Sequence, residues 1–250
     1  LSALALKLVS SGPDKIELTP RRVRLLYNGV YIADTIAAKH VWEHKYYPQL
    51  YIPAKSFKSD ILVKGEPIDS NASAFYGIIK VKDKQTDKVI LFEKGSLNGL
   101  VKVDFNVIDA WFEEDEQIFV HPKDPYKRVD IRSSSRHVKV VIDGHTIAET
   151  NNPTLLFETL LPPRYYLPKT SVVDWSMLAD SPTISQCPYK GEANYYDVTV
   201  NGQVYKDIIW WYRTPTVESS AVAGRLCFYN EKVDIWIDGQ KQERPITKFS

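Results

Sequence analysis

The stretch RVRLLYNGVYIADTIAAKHVWEHKYYPQLYIP, residues 22–53, recurs as HVKVVIDGHTIAETNNPTLLFETLLPPRYYLP, residues 137–168. The two run in register at an offset of 115 residues without a gap, and nine of 32 positions are identical: Val23/Val138, Gly29/Gly144, Ile32/Ile147, Ala33/Ala148, Thr35/Thr150, Glu43/Glu158, Pro48/Pro163, Tyr51/Tyr166 and Pro53/Pro168. Unrelated segments of this composition would share about two, and so small a copy number means a pair of domains, not a solenoid. RVDI at 128–131 echoes KVDI at 232–235 and places the end of the first repeat. The reading is an N-terminal extension over 1–20, a first repeat over 21–131, a polar linker RSSSR over 132–136 and a second repeat over 137–250.

Asn28-Gly29, Asp143-Gly144 and Asn201-Gly202 are dipeptides that accept the two positive φ values of a type I′ turn, so each joins a hairpin. β-Branched and aromatic runs predict further strands at 39–43, 74–82, 88–92, 108–112, 154–158, 195–200, 203–210, 225–229 and 233–237. Helical signal is scarce: Ser171 with Asp174 three residues on opens a candidate helix over 171–178, with a counterpart over 56–63. The fold class is all-β, mainly antiparallel sheet with one short helix per domain. A two-residue turn places Asp34 opposite Val23 and Glu149 opposite Val138, an acid on the core face of each hairpin.

The chain of 250 residues is 44% hydrophobic and 25% charged, an ordinary globular composition. Thirty-two basic against 31 acidic residues leave a charge of +1, with neither repeat strongly basic. The expectation is no nucleic-acid partner and no anionic membrane surface. LSALALKLVSS at the start is too short to span a bilayer and lacks a basic leader. Two cysteines, Cys187 and Cys227, make no disulfide framework and favour a reducing, cytoplasmic setting. No cofactor and no metal site is expected.

HVWEH at 40–44 matches the inverted zinc-protease pattern, but zinc needs both histidines on one helical face, and this segment reads as a strand. Both repeats keep the glutamate, Glu43 and Glu158, inside an apolar run. Such a carboxylate is either paired in a structural ion pair or sits on a pocket floor, with Lys190, Arg164 and Arg213 as available partners for Glu158. CPYKGEANYY, residues 187–196, concentrates a thiol, an amine and three tyrosines, while the first repeat, with Pro67 and Ser70 opposite Cys187 and Lys190, has lost the reactive groups. The loss marks either a site particular to the second domain or drift in a structural loop. Along WWYRTP, strand alternation puts Trp211, or Trp210 with Tyr212, on one face.

The run V-x-V-x-x-x-G-x-x-I-A-E-T through F-E, R-Y-Y-L-P, C-P-Y-K-G-x-A-x-Y-Y, W-W-Y and C-F-Y-N-E-K-V-D resembles domain of unknown function 427, in the tandem arrangement of fungal members. The resemblance covers 21–240 and is strongest over 136–240. It implies a small antiparallel fold of the β-tent kind, in which one branch of tent domains holds a small cyclic ligand in an aromatic cage. The family carries a nucleotidyltransferase-like label, yet the sequence shows neither closely spaced acidic ligands for magnesium nor a phosphate-cradling glycine loop.

The functional expectation is a small-molecule pocket in the second domain, with Glu158 and Lys190 as the polar pair, Cys187 beside them, Tyr166, Tyr196 and Trp211 as walls and Arg213 as an anion contact. Two alternatives stand beside it. One is an enzyme using the Lys190 amine or the Cys187 thiol with Glu158 or Glu149 as proton carrier; the other is a structural or protein-interaction module.

Overall fold

In the computed structural model, which describes residues 1–247 and Ser250, the three turn dipeptides take paired φ values of 49° and 73°, 47° and 78°, and 50° and 79°. The hairpins they close assemble into two units, Leu1–Asp124 and Pro125–Ser250. The first contains β1 (Lys15–Leu18), β2 (Val23–Tyr27), β3 (Val30–Thr35), β4 (Lys39–Trp42), β5 (Gln49–Pro53), β6 (Leu62–Pro67), β7 (Ala74–Val81), β8 (Lys84–Phe92), β9 (Leu100–Val103), β10 (Ala110–Glu113) and β11 (Glu116–Ile118). The second contains β12 (Val129–Ser133), β13 (Val138–Ile142), β14 (His145–Thr150), β15 (Thr154–Glu158), β16 (Arg164–Leu167), β17 (Leu178–Cys187), β18 (Gly191–Val200), β19 (Gln203–Tyr212), β20 (Leu226–Phe228), β21 (Asp234–Ile237) and β22 (Gln240–Lys241).

Each unit has a seven-stranded sheet, ordered β1-β4-β5-β9-β8-β7-β6 in the first and β12-β15-β16-β20-β19-β18-β17 in the second. A four-stranded sheet, β11-β10-β2-β3 or β22-β21-β13-β14, accompanies it. The topology is duplicated strand for strand, and all-β antiparallel architecture is what both units show.

The repeat boundary lies upstream of the expected one. Ile131 pairs with Leu156 as Ile16 pairs with Val41, so RVDI lies in the opening edge strand of the second unit. KVDI instead runs into β21, whose counterpart is β10: Val138 faces Ile237 as Val23 faces Glu113. Arg132 and Ser133, read as linker, are paired in β12 with Leu155 and Thr154. The similarity of the two tetrapeptides reflects a shared alternation of polar and apolar residues, not a shared place.

Bulges also correct the two acids. Register shifts between Leu25 and Leu26 and between Val140 and Val141 put Asp34 opposite Arg24 and Glu149 opposite Lys139. One extra residue turns a side chain to the other face. Asp34 pairs outward with Arg22 at 2.7 Å and Glu149 with His137 at 2.7 Å, so Glu149 takes no part in a core-facing site.

The expected helices do not form. Over 171–178 there are two 3-10 turns, Lys169–Ser171 and Trp175–Met177, the second capped by Asp174 accepting the Ser176 N–H at 2.9 Å. Val172 bridges to Ala148, and the Val173 N–H bonds Ile147 O at 3.0 Å, which spends on the neighbouring hairpin the groups a helix would use. Phe57 bridges to Ala33 in the same way and Ala54–Ser56 is a 3-10 turn. The one α-helix among the described residues is α1 (Ser2–Ser11), within the stretch read as an extension. Ten residues are too few for a stable isolated helix. Burial of Ala5 and Leu8 against Val41, Tyr51, Ile90 and Phe92 holds it on the first unit's large sheet.

The large sheet of each unit therefore buries both faces. One packs on the small sheet: Val23, Leu25, Ile32, Ile52, Leu91 and Trp111 share a core in the first unit, and Val138, Val140, Ile147, Ile209, Trp211 and Ile235 in the second. The opposite face carries α1 in the first unit. In the second it gathers Leu156, Tyr166, Tyr195, Trp210, Tyr212, Val222 and Cys227.

Candidate functional site

Glu158 ends β15 at the opposite face, between two ammonium groups. Lys190 Nζ donates to Oε2 at 2.5 Å, and Lys127 lies 2.9 Å from Oε1. Glu158 is 8% and Lys190 9% exposed. Burial alone would raise the Glu158 carboxyl, but Lys190 and Lys127 outweigh it and hold the group below the ordinary carboxylate value. Burial pulls Lys190 down, yet interactions with Cys187 and Glu158 outweigh it, and the amine is held above its ordinary value. Of the three partners expected for Glu158, only Lys190 reaches it. Arg164 makes a buried bidentate pair with Glu231, both bonds 2.6 Å, and bonds Asn230 as well.

Lys190 reaches the carboxylate because its turn is clamped. Its N–H bonds Cys187 O at 3.3 Å, and Gly191, at φ 95°, leads into β18 where a Cβ would meet Thr214 O at 3.4 Å. The 3-10 turn Val217–Val222 follows β19; Thr216 Oγ1 and Ser219 Oγ donate to Tyr189 O at 2.6 and 3.0 Å. Lys127 Nζ stands 5.1 Å from the Tyr189 ring centroid, and half-buried Cys187 ends β17. Tyr166 is fully buried behind the pair, its hydroxyl accepting from Trp210 Nε1 at 3.1 Å.

Three expected members lie elsewhere. Tyr196 and Trp211 belong to the core between the sheets, stacked at 5.9 Å and 13°. Arg213 is exposed, 5.5 Å from the Trp211 ring. Strand alternation accounts for this: Trp210 and Tyr212 face Tyr166, and Trp211 between them faces the other way. Lys127, against Glu158, Tyr189, under Lys127, and Trp210, against Tyr166, were not named for the site. The sequence held a signal for two of them: Tyr189 stands next to Lys190 in the CPYKG turn, and Trp210 alternates with Trp211. HVWEH places His40 in β4 and His44 beyond the strand, against Tyr47 at 4.5 Å, so the two histidines share no helical face.

Domain of unknown function DUF427 matches residues 15–92 and 130–239. The chain belongs to this family. Its two matched segments fall one in each unit, giving a tandem pair of DUF427 domains. No curated protein matches the chain.

The two DUF427 domains solve the same electrostatic problem with different lysines. In the first, Glu43 accepts from Tyr51 Oη at 2.9 Å and pairs with Lys102 of β9. Lys102 is the cross-strand partner of Tyr51, the place that Cys227 holds beside Tyr166. The second domain thus has a buried thiol where the first has its cation, and draws the cation from the CPYKG turn. Pairing also revises the alignment there: Ala74 faces Phe92 as Ala193 faces Tyr212, so Tyr76 corresponds to Tyr195. Between the equivalent pairs Pro67/Phe75 and Ile184/Asn194 the first DUF427 domain has seven residues where the second has nine, and the longer turn is the one that carries Lys190. The segment from Tyr212 to Cys227 is five residues longer than that from Phe92 to Lys102, and these extra residues carry the clamp on Tyr189.

Proposed function

We propose that the second domain binds a small molecule bearing an anionic group at the Glu158, Lys190, Lys127 and Cys187 cluster. The observation that supports this most directly is charge. Among the described residues the Glu43 carboxylate pairs with one ammonium group, Lys102, whereas the Glu158 carboxylate pairs with two, Lys127 and Lys190, leaving a positive charge beside a half-buried thiol. An uncompensated cation near a low-dielectric wall is a ready partner for a carboxylate or phosphate. Lys127, with 19% of its side chain exposed, is the cation from which solvent is least excluded, and the Tyr189 ring beneath it supplies a flat contact. Tyr166 supports the site from behind.

A catalytic reading is narrower than the sequence allowed. The Lys190 amine is held protonated and is no nucleophile near neutral pH, which leaves the Cys187 thiol with Glu158 as the group such a reaction would use. No helix of the described residues is long and apolar enough to cross a membrane. Unpaired cysteines support a cytoplasmic setting, and balanced charge gives no support for nucleic-acid or membrane partners.

Thermal denaturation of the full chain against a panel of small aliphatic carboxylates and alkyl phosphate esters, none of which carries a ring, tests the reading. A ligand at 100 times its Kd adds about 2.7 kcal/mol, visible as a raised Tm. The increase is expected in the wild type and in Lys169→Ala and absent in Lys127→Ala. Equal responses from wild type and Lys127→Ala, or no response to any member, would remove the proposal.

A further inference from the structure

We infer that the second domain carries a separate site for a flat organic oxyanion, formed on the other face of its large sheet by Trp211, Tyr196, Lys169, Arg213 and Trp175. The starting observation is an unmet donor: Trp211 is 8% exposed and its buried Nε1 has no hydrogen-bond partner. Buried polar groups without partners are uncommon and costly, and an indole N–H can only donate. An acceptor is what this position lacks.

Two cations gather on the same indole. Lys169 Nζ lies 3.8 Å from the Trp211 ring centroid and donates to Tyr196 Oη at 3.2 Å, and Arg213 stands 5.5 Å from the ring. Among the described residues neither is paired with a carboxylate. Trp175, 42% exposed, meets Tyr196 edge-on at 5.9 Å and offers an aromatic surface to solvent beside them. One orphan donor, two unneutralised cations and an exposed indole specify the ligand class: an oxyanion head for the cations and the N–H, and a flat body to stack on Trp175. The flexible stem of Lys169 can swing off the ring to admit it.

The duplication shows that the fold does not require this group. By strand pairing and by place after the duplicated proline, the first domain has Leu91 for Trp211, Gly77 for Tyr196, Ala54 for Lys169, Glu93 for Arg213 and Asp60 for Trp175. A Cβ on Gly77 would come within 2.4 Å of Leu91 Cδ1, so in the first domain an aliphatic side chain fills the space next to the strand where the second has a stacked tyrosine. Both cations and every ring are particular to the second domain.

The test uses the full chain with 15N-labelled indoles, the Trp211 signal being the one lost in Trp211→Phe. Titration with benzoate and with phenyl phosphate is expected to shift that signal, and whichever binds more tightly identifies the head group; phenol, flat but neutral at pH 7, is expected to leave it in place. Lys169→Ala and Arg213→Ala should each weaken binding about tenfold, as loss of a charged contact does, and Lys127→Ala should not, which separates this site from the Glu158 cluster. No shift with either anion at millimolar concentration, an equal shift with phenol, or unchanged affinity in both cation variants would overturn the assignment.

Discussion

Lys190 Nζ and Glu158 Oε2 meet at 2.5 Å across 32 residues of chain, at a place where the duplicate domain makes the same contact with a lysine from strand β9 in place of one from a turn. Removing one partner of a buried pair exposes the other to the full cost of an unmatched charge. The two ends are unequal here, because Lys127 remains on Glu158 when Lys190 is gone, while both ammonium groups lose their anion when Glu158 is gone. Glu158→Leu is therefore expected to destabilise the second domain by about 3–5 kcal/mol and Lys190→Ala by about 1–3 kcal/mol. Urea unfolding of the two variants measures the order, and the reverse order would mean that Lys127 does not carry the charge assigned to it.

The pH dependence has a definite sign on each side. The folded Glu158 carboxyl is held below its ordinary value, so its stabilisation is complete above the unfolded value of about 4.3 and is lost as pH falls through the lower folded value. Lys190 is held above its ordinary value, so its share is complete below about 10.4 and is lost as pH rises through the higher folded value. The stability difference between wild type and Glu158→Gln should be constant from pH 6 to 8 and close progressively in acid. A difference that persists undiminished below the folded value would show that packing, not charge, distinguishes the two.

Much of this arrangement is legible in the sequence. The turn dipeptides, the 115-residue register and the two conserved positions Glu43 and Glu158 within this chain led to the duplicated sheets and to the Lys190 contact. What escaped did so for stated reasons. A bulge at Val140 moved Glu149 to the surface, and bulges leave no local signature in an alternating run. Helix α1 was missed because its apolar residues were weighed only as a membrane span. Lys127 was missed because nothing local ties the segment before β12 to the end of β15; only the sheet order brings them together. Trp211 was assigned to the wrong face by one step of alternation.

The exchange of cations between domains can be run as an experiment. If Cys227 holds the place of Lys102, then Cys227→Lys should return a cation to Glu158 in a Lys190→Ala background. The first domain has Ile90 where the second has Trp210, and Lys102 lies beside it. Trp210→Ile therefore belongs in the same chain to make room. The triple variant is expected to recover stability relative to Lys190→Ala/Trp210→Ile. No recovery would mean that the strand position alone does not deliver the ammonium to the carboxylate.

The first domain also contains a buried pair that its duplicate dispenses with. His40 Nε2 and Glu113 Oε1 lie 3.9 Å apart, both buried and neither within hydrogen-bond distance of a partner, while Arg21 bonds the other oxygen of Glu113 at 2.6 Å. Pairing registers place Leu155 and Ile237 at the equivalent points of the second domain. The same backbone thus accepts an apolar pair there, and replacing a buried polar pair by apolar residues of similar size is often neutral or stabilising by about 1–4 kcal/mol. His40→Leu/Glu113→Ile is expected to leave the first domain at least as stable as wild type. His40→Leu alone is expected to cost less than Glu113→Ile alone, because Glu113 keeps Arg21, whereas Arg21 loses the one carboxylate it pairs with among the described residues when Glu113 is removed. Denaturation of the three variants decides the point: a double variant less stable than either single one would show that the two side chains stabilise this domain through a contact that the 3.9 Å separation does not reveal.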